Sequence, residues 1–559
     1  MKNSTWVRGK VIDLVRQRIA GAAVLVGDGK IERINYEADE PAAENEGPYL
    51  LPGFVDAHVH IESSMLTPVQ FARLAVVHGT VATVSDPHEI GNVLGTEGVE
   101  YMLENARPVP FKFCFGAPSC VPATTFETAG AAITVADLAQ LFHLHPQVGY
   151  LAEMMNFPGV LNGDATVLAK IALAKQLGKP VDGHAPGLRG EAARRYVEAG
   201  ISTDHECFGR EEALDKLGFG MKILIREGSA AKNFEALADL LHQHADRMMF
   251  CSDDKHPDSL VEGHINQLVK RALARGIDLF KVLRAACLNP VRHYGLPVGL
   301  LQPGDPADFI VVDNLRDWNV RQTYVDGQLV AENGTSLIPN LPSRVVNRFD
   351  TLPKTPEQFG LPAPKGSGTH CAVRVIEVLD GQLVTRQVRA NLSVVGGLVR
   401  PDPARDILKI AVVNRYQNEP PAVAFIRNFG LREGALASSV GHDSHNLVAV
   451  GVSDELIARA VNRLIEARGG IAAVSDREEA LLPLPIAGLM SGEDGYRVAD
   501  QYARLDALAK RMGSPLQAPF MSLSFMALLV IPSLKLSDLG LFDGERFAFT
   551  EVVINPPHP

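Results

Sequence analysis

The chain has 559 residues, enough for two to four domains. Hydrophobic residues make up 46% and charged residues 21%, ordinary values for a globular protein. The net charge of −11 argues against a general nucleic-acid binder, which needs a basic footprint. The cysteines, Cys114, Cys120, Cys207, Cys251, Cys287 and Cys371, form no CxxC pair and read as buried thiols of a reducing compartment. The first residues, MKNSTWVRGKVIDLVRQ, scatter charges and hold no apolar core, so no signal peptide is expected. A cytoplasmic location follows, with neither membrane nor nucleic acid as partner. The most apolar run, 520–536, is broken by Pro532 and Lys535. It is too short for a membrane span and reads as core strand of a terminal domain.

Taken in order, residues 1–50 alternate apolar and polar in Val11-Ile12-Asp13-Leu14 and Ala23-Val24-Leu25-Val26, with Asp28-Gly29 as a hairpin turn. A matching piece comes much later, in Gly304-Asp305-Pro306-Ala307-Asp308, 309–312 and 323–330. Residues 1–50 and 295–345 are therefore expected to form one small composite β-sandwich domain around the middle of the chain. In that middle, 51–294, apolar runs end near His58, Asp86, Gly116, Glu153, His184, His205, Ile225 and Asp253. Helical patterns lie between them, at 68–78, 164–177, 191–199, 234–244 and 259–275. Eight such units predict an α/β fold, a closed (β/α)8 barrel whose active site gathers at the C-terminal ends of the strands. A Pro-rich linker is expected over 346–369, with Pro353, Pro356, Pro362 and Pro364. Residues 370–559 read as a C-terminal α+β domain, with strands at 372–378 and 410–413 and an amphipathic helix at 454–467.

The chemistry centres on LPGFVDAHVHIESS, residues 51–64. A buried strand runs into His58-Val59-His60, and because strand side chains alternate, both imidazoles face the same way. His58 and His60 from the first strand join Glu153 from the fourth, His184 from the fifth, His205 from the sixth and Asp253 from the eighth. All six would point into one barrel mouth. Each alone has a bland reading as a polar strand-end residue; six at the right strand ends do not. Four imidazoles and two carboxylates suit two divalent cations, with a carboxylate able to bridge them. Zinc, iron and manganese all suit such donors, and two ions per chain are expected, Mn²⁺ or Fe²⁺ ahead of Zn²⁺. Rival signatures are missing: there is no CxxC to complete a cytidine-deaminase zinc site, no Walker A sequence, no GxSxG and no HExxH.

PGFVDAHVHIE, with His184 in VDGHAPGL, His205 in STDHECF and Asp253 in FCSDDKHP, resembles the amidohydrolase superfamily. HVHIESSMLTP, SDPHEIGNVLG, AEMMNFPGVL and SDDKHP resemble the adenine deaminase family within it, as do GHDSHNLVAVG (441–451) and FMSLSFMALLVIPSLKLSDLGL near the C-terminus. The segment MKNSTWVRGKVIDLVRQ is only a loose match. The resemblance implies metal-dependent deamination of adenine to hypoxanthine and ammonia in purine salvage. It also implies that His58, His60 and Asp253 hold one cation, that His184 and His205 hold the other, and that Glu153 bridges them. Asp253, with its neighbour Asp254, would move the proton from the attacking water to the departing amine, and His88 or Glu89 would serve the proton needed at N1. The histidine pair His442 and His445 is expected to approach the site. Barrels of this kind commonly assemble, so a dimer or larger homo-oligomer is expected. Two alternatives stay open: another amidohydrolase, acting on a different nucleobase or a cyclic amide, and a non-catalytic binding protein, against which the complete ligand set argues.

Overall fold

The computed structural model describes residues 4–37 and 48–554. Residues 38–47, which fall within the first β segment read from sequence, lie outside the described residues, as do both chain ends.

Thr5–Asp13, Arg18–Gly27 and Lys30–Tyr36 form an antiparallel meander. Asp28 and Gly29 carry φ values of 50° and 77°. A two-residue turn that follows the twist of its strands needs positive φ at both positions, which Asp tolerates and Gly adopts freely. Tyr49–Pro52 lies beside the first strand in parallel register, Val11 opposite Leu50. On its other edge it pairs antiparallel with Phe309–Val312, Val311 opposite Leu50. Val320–Val325, Gln328–Glu332 and Thr335–Ser336 complete one continuous eight-stranded sheet. The sheet curls over Val11, Val24, Ile31, Leu50 and Phe309. The 304–305 turn closes it by exchanging main-chain hydrogen bonds with Ile31.

Eight strands follow in two parallel sheets, five in Phe54–Val59, Thr80–Ser85, Lys112–Ala117, Tyr150–Met154 and Val181–Gly183, and three in Thr203–Asp204, Lys222–Arg226 and Met248–Cys251, the two sheets meeting where Ser202 N–H donates to Val181 O. The last returns to the first through a parallel bridge between Val59 and Asp253, where Asp253 N–H donates to His58 O at 2.9 Å. The first two strands are buried at every residue, as expected where helices cover a parallel sheet outside and side chains fill it inside. The helical pattern at 259–275 is two helices, Pro257–Glu262 and Ile265–Ala274. They part at Gly263 because His264 turns inward, Nε2 to Asp56 at 2.8 Å and Nδ1 to Thr80 at 2.7 Å. The pattern at 234–244 is likewise a chain of short turns.

The Pro-rich stretch 346–369 does not run free. Phe349 and Phe359 are buried, Asp350 N–H donates to Arg415 O, and Lys354 reaches Asn418. Leu361–Pro362 within it is the edge strand of a ten-stranded sheet whose other nine strands follow. The helix Asp454–Ala467 is capped by the Ser453 hydroxyl and lays Ile457, Val461 and Leu464 on that sheet. Each such buried aliphatic side chain stabilises the packing by about 1.5–3 kcal/mol. The run 520–536, expected as strand, is mostly something else. Pro519–Ser524 is helical, Phe525–Ala527 is a tight turn, and only Leu534–Ser537 is extended. Apart from Val530, Pro532 and Ser533 its residues are buried, so hydrophobicity carries no period there, and a short apolar run does not reveal its type. Among the described residues no helix is long and apolar enough to cross a membrane.

Candidate metal centre

His58 is the penultimate residue of the first barrel strand and His60 follows that strand, both buried, while Val59 between them packs into the barrel wall. Their Nε2 atoms stand 3.2 Å apart. His60 Nε2 is 3.3 Å from Glu153 Oε1 and 3.3 Å from Asp253 Oδ1. Asp253 Oδ1 is 3.7 Å from His58 Nε2. The other Glu153 oxygen, Oε2, faces His184 Nδ1 at 2.8 Å and His205 Nε2 at 3.2 Å. Glu153 thus has one oxygen toward each histidine pair, and the structure brings all six expected ligand residues together.

Two chemical facts suit this arrangement to cations. Donor atoms around an ion at about 2.0–2.2 Å stand roughly 3.0–3.5 Å apart, the spacing seen among these nitrogens and oxygens. Four imidazoles and two carboxylates are, besides, the donor types that hold divalent first-row cations, and buried groups of them lie close enough together to share one. The backbone contributes as well. Asp253 adopts φ 54°, a left-handed conformation held by its bond to His58 O.

The electrostatics are strongly biased. Burial by itself would raise the Glu153 carboxyl, but His184, His205 and His60 outweigh it and hold it well below the carboxylate range. Burial also works against Asp253, and Arg226 with His60 and His205 overrides it in the same direction. His58, enclosed and beside His205 and His60, is held well below the ordinary imidazole value.

The other residues expected to move protons lie beside this cluster. His88 Nδ1 is 3.2 Å from Asp86 Oδ2 and 3.5 Å from Glu153 Oε1, and its ring stands edge-on to His60 at 4.6 Å. His60, Asp86, His88 and Glu153 form a cluster able to hold an ion, so His88 and Asp86 lie closer to the ligand set than sequence suggests. Glu89 is gripped by two histidines of the terminal domain, His442 through Nδ1 and His445 through Nε2 at 2.5 Å. Burial opposes a charge on His442, but Glu89 and Asp254 prevail and lift its pKa to about 9. Asp254 accepts from the Ser63 hydroxyl at 2.5 Å. Its own pKa is raised by burial and by Asp253 beside it.

Three charged groups beside the cluster escape the sequence reading. Arg226 donates through Nη1 to Asp253 Oδ2 at 2.5 Å and through Nη2 to Glu206 Oε2 at 3.0 Å. It ends the seventh strand, one residue beyond the apolar run that stops at Ile225, so the strand-end rule extends to it. Glu206 follows His205 directly and stands 3.6 Å from His184 Nδ1. Asp443 lies 3.8 Å from His88 Nε2. Met155, Leu383, Phe525 and Leu528 line the same cavity as its apolar cap, with about 20 Å³ of free space beside His60, Glu89 and Asp254. That is room for little more than one water.

Residues 49–330 match the amidohydrolase family, and residues 382–548 match the adenine deaminase C-terminal domain. An adenine deaminase from Salinibacter ruber is 57% identical, covering 99% of both chains. One from a Sulfurovum species is 56% identical, covering 98% of this chain and 99% of its own. One from Methanosarcina barkeri is 50% identical, covering 98% of both.

Proposed function

The chain belongs to the adenine deaminase family, and we propose that its hydrolysis of adenine to hypoxanthine and ammonia runs at the buried centre beneath the cap. One observation carries the reading. The six-ligand cluster of the amidohydrolase segment is roofed by Leu383, His442, Asp443, Phe525 and Leu528, all from the segment that matches the adenine deaminase C-terminal domain. Two divalent cations per chain would sit among His58, His60, Glu153, His184, His205 and Asp253, and they would supply water ionised near neutral pH.

The remaining chemistry falls to the protein's own groups. Asp253 takes the proton of the attacking water at Oδ1, the oxygen on the ligand side, and passes it to the leaving amine at C6. Arg226 holds the opposite oxygen and so fixes the carboxylate's direction. Glu89 reaches the N1 edge, its own position set by His442 and His445. Met155, Leu383, Phe525 and Leu528 flank a flat base and exclude bulk water, which strengthens every interaction beneath them.

A ribose on N9 would have to pass between roof and ligands. Adenosine should therefore be at least about 10²-fold poorer than adenine in kcat/KM, about 2.7 kcal/mol of lost transition-state binding. The assay is loss of adenine absorbance with matched ammonia release. Turnover of adenosine or a cyclic amide, with adenine untouched, would reject the substrate while sparing the centre.

His442→Ala and His445→Ala test whether the terminal domain takes part in catalysis. Each removes one of the two groups that hold Glu89, and kcat/KM for adenine should fall by about 10-fold or more, toward the range lost with an acid–base group. Unchanged kcat/KM in both would assign residues 370–559 a purely covering role.

A further inference from the structure

Lys535 is wholly buried in the strand Leu534–Ser537, facing Phe542 across a hairpin. Burying an ammonium is expensive, and structures normally offset the cost with a carboxylate. Here Nζ donates to two main-chain carbonyls, Leu383 O at 2.6 Å and Phe525 O at 2.8 Å. Burial is the one influence acting on its ionisation, and it pushes the pKa down to about 7. An aliphatic residue of similar length would avoid that cost, if filling space were the only need.

The identity of the two acceptors gives the lysine its meaning. Leu383 and Phe525 lie 142 positions apart in sequence, yet both line the cavity above the ligand cluster. Phe525 also stacks on the His442 ring at 4.8 Å with 19° between planes, and His442 in turn holds Glu89. The segment beside Leu383 is pinned to the lysine's own strand, since Thr385 Oγ1 donates to Leu534 O at 2.8 Å and accepts from Leu534 N–H at 3.1 Å. Lys535 thus sits behind the roof of the cavity and ties its two halves together through their backbones.

We propose that Lys535 is a positioning residue that clamps the backbones of Leu383 and Phe525, setting the height of the roof and thereby the enzyme's affinity and selectivity for the unsubstituted base. The clamp rests on the reading of this cavity as the adenine site. Lys535 touches neither ligand cluster nor base, so its loss should move binding more than chemistry.

The test is steady-state kinetics on full-length, metal-loaded wild type, Lys535→Met and Lys535→Gln, with adenine and 9-methyladenine as substrates. Lys535→Met fills the space and leaves both carbonyls unpaired; Lys535→Gln keeps a donor for one. In Lys535→Met, KM for adenine should rise about 10-fold or more while kcat stays within about 3-fold and metal content is unchanged. Its preference for adenine over 9-methyladenine should shrink by about 10-fold, with Lys535→Gln between it and wild type. A merely structural lysine would lower the melting temperature and leave KM and the substrate ratio alone. Wild-type KM and ratio in Lys535→Met overturn the clamp. If that variant does not fold, wild-type values in Lys535→Gln overturn it, and raised KM with a reduced ratio supports it. Wild type inactive on adenine overturns the functional reading and the clamp with it; active wild type with unchanged variants overturns the clamp alone.

Discussion

Asp253→Asn should lower kcat for adenine by about 10²–10⁴, the usual worth of a general acid–base group. The structure adds a second expectation. Asp253 serves two claimants, with Oδ1 toward His58 and His60 and Oδ2 against Arg226. Asparagine offers one acceptor oxygen and one donor nitrogen. If its oxygen stays with the ligands, its amide meets the Arg226 guanidinium donor to donor; if it flips, the amide faces the cation side. Either way one cation should be held less tightly. Metal analysis beside kcat on the same sample decides this. A variant within a factor of a few of wild type would move the proton shuttle to Asp254 or Glu89.

Stripping divalent cations should abolish activity, and Mn²⁺ or Fe²⁺ should restore it at about two equivalents per chain, as for a two-metal hydrolytic centre. The residue on which both sites depend is Glu153, whose oxygens face His60 on one side and His184 and His205 on the other. Glu153→Ala should therefore disturb both sites together, binding at most one ion and losing more than about 10³ in kcat. His184→Ala should spare the His58–His60 side. Full activity in rigorously metal-free protein, or two tightly held ions in Glu153→Ala, would refute this account of the centre.

The six proposed ligand positions are legible in the chain because two rules converge on them. Strand alternation pairs His58 with His60, and the strand-end rule collects Glu153, His184, His205 and Asp253 from elements far apart in sequence. Arg226 obeys the same rule, but it follows an apolar run, and nothing local distinguishes it from a charge entering a loop. Asp443 and the grip of His442 and His445 on Glu89 depend on how the terminal domain docks, which no periodicity records. Lys535 is the extreme case. In sequence it looks like a flaw in the apolar run 520–536, because its partners are backbone carbonyls and leave no side-chain signature. The same run reads as strand and is mostly not, because the near-continuous burial of 520–529 erases the alternation by which strands and helices are told apart.

The composite sheet has a consequence during synthesis. Tyr49–Pro52 is a central strand, bonded on one edge to Thr5–Asp13 and on the other to Phe309–Val312. The second partner leaves the ribosome more than 250 residues later. At 5–20 residues per second that is roughly 10–50 s. For that interval the nascent chain carries an unfilled edge bearing Tyr49, Leu50 and Leu51, all buried in the finished protein. An open apolar edge invites pairing with another chain. Chains released before residue 309 should therefore aggregate instead of accumulating as open barrels, and holdase chaperones should be most needed while the barrel is being translated.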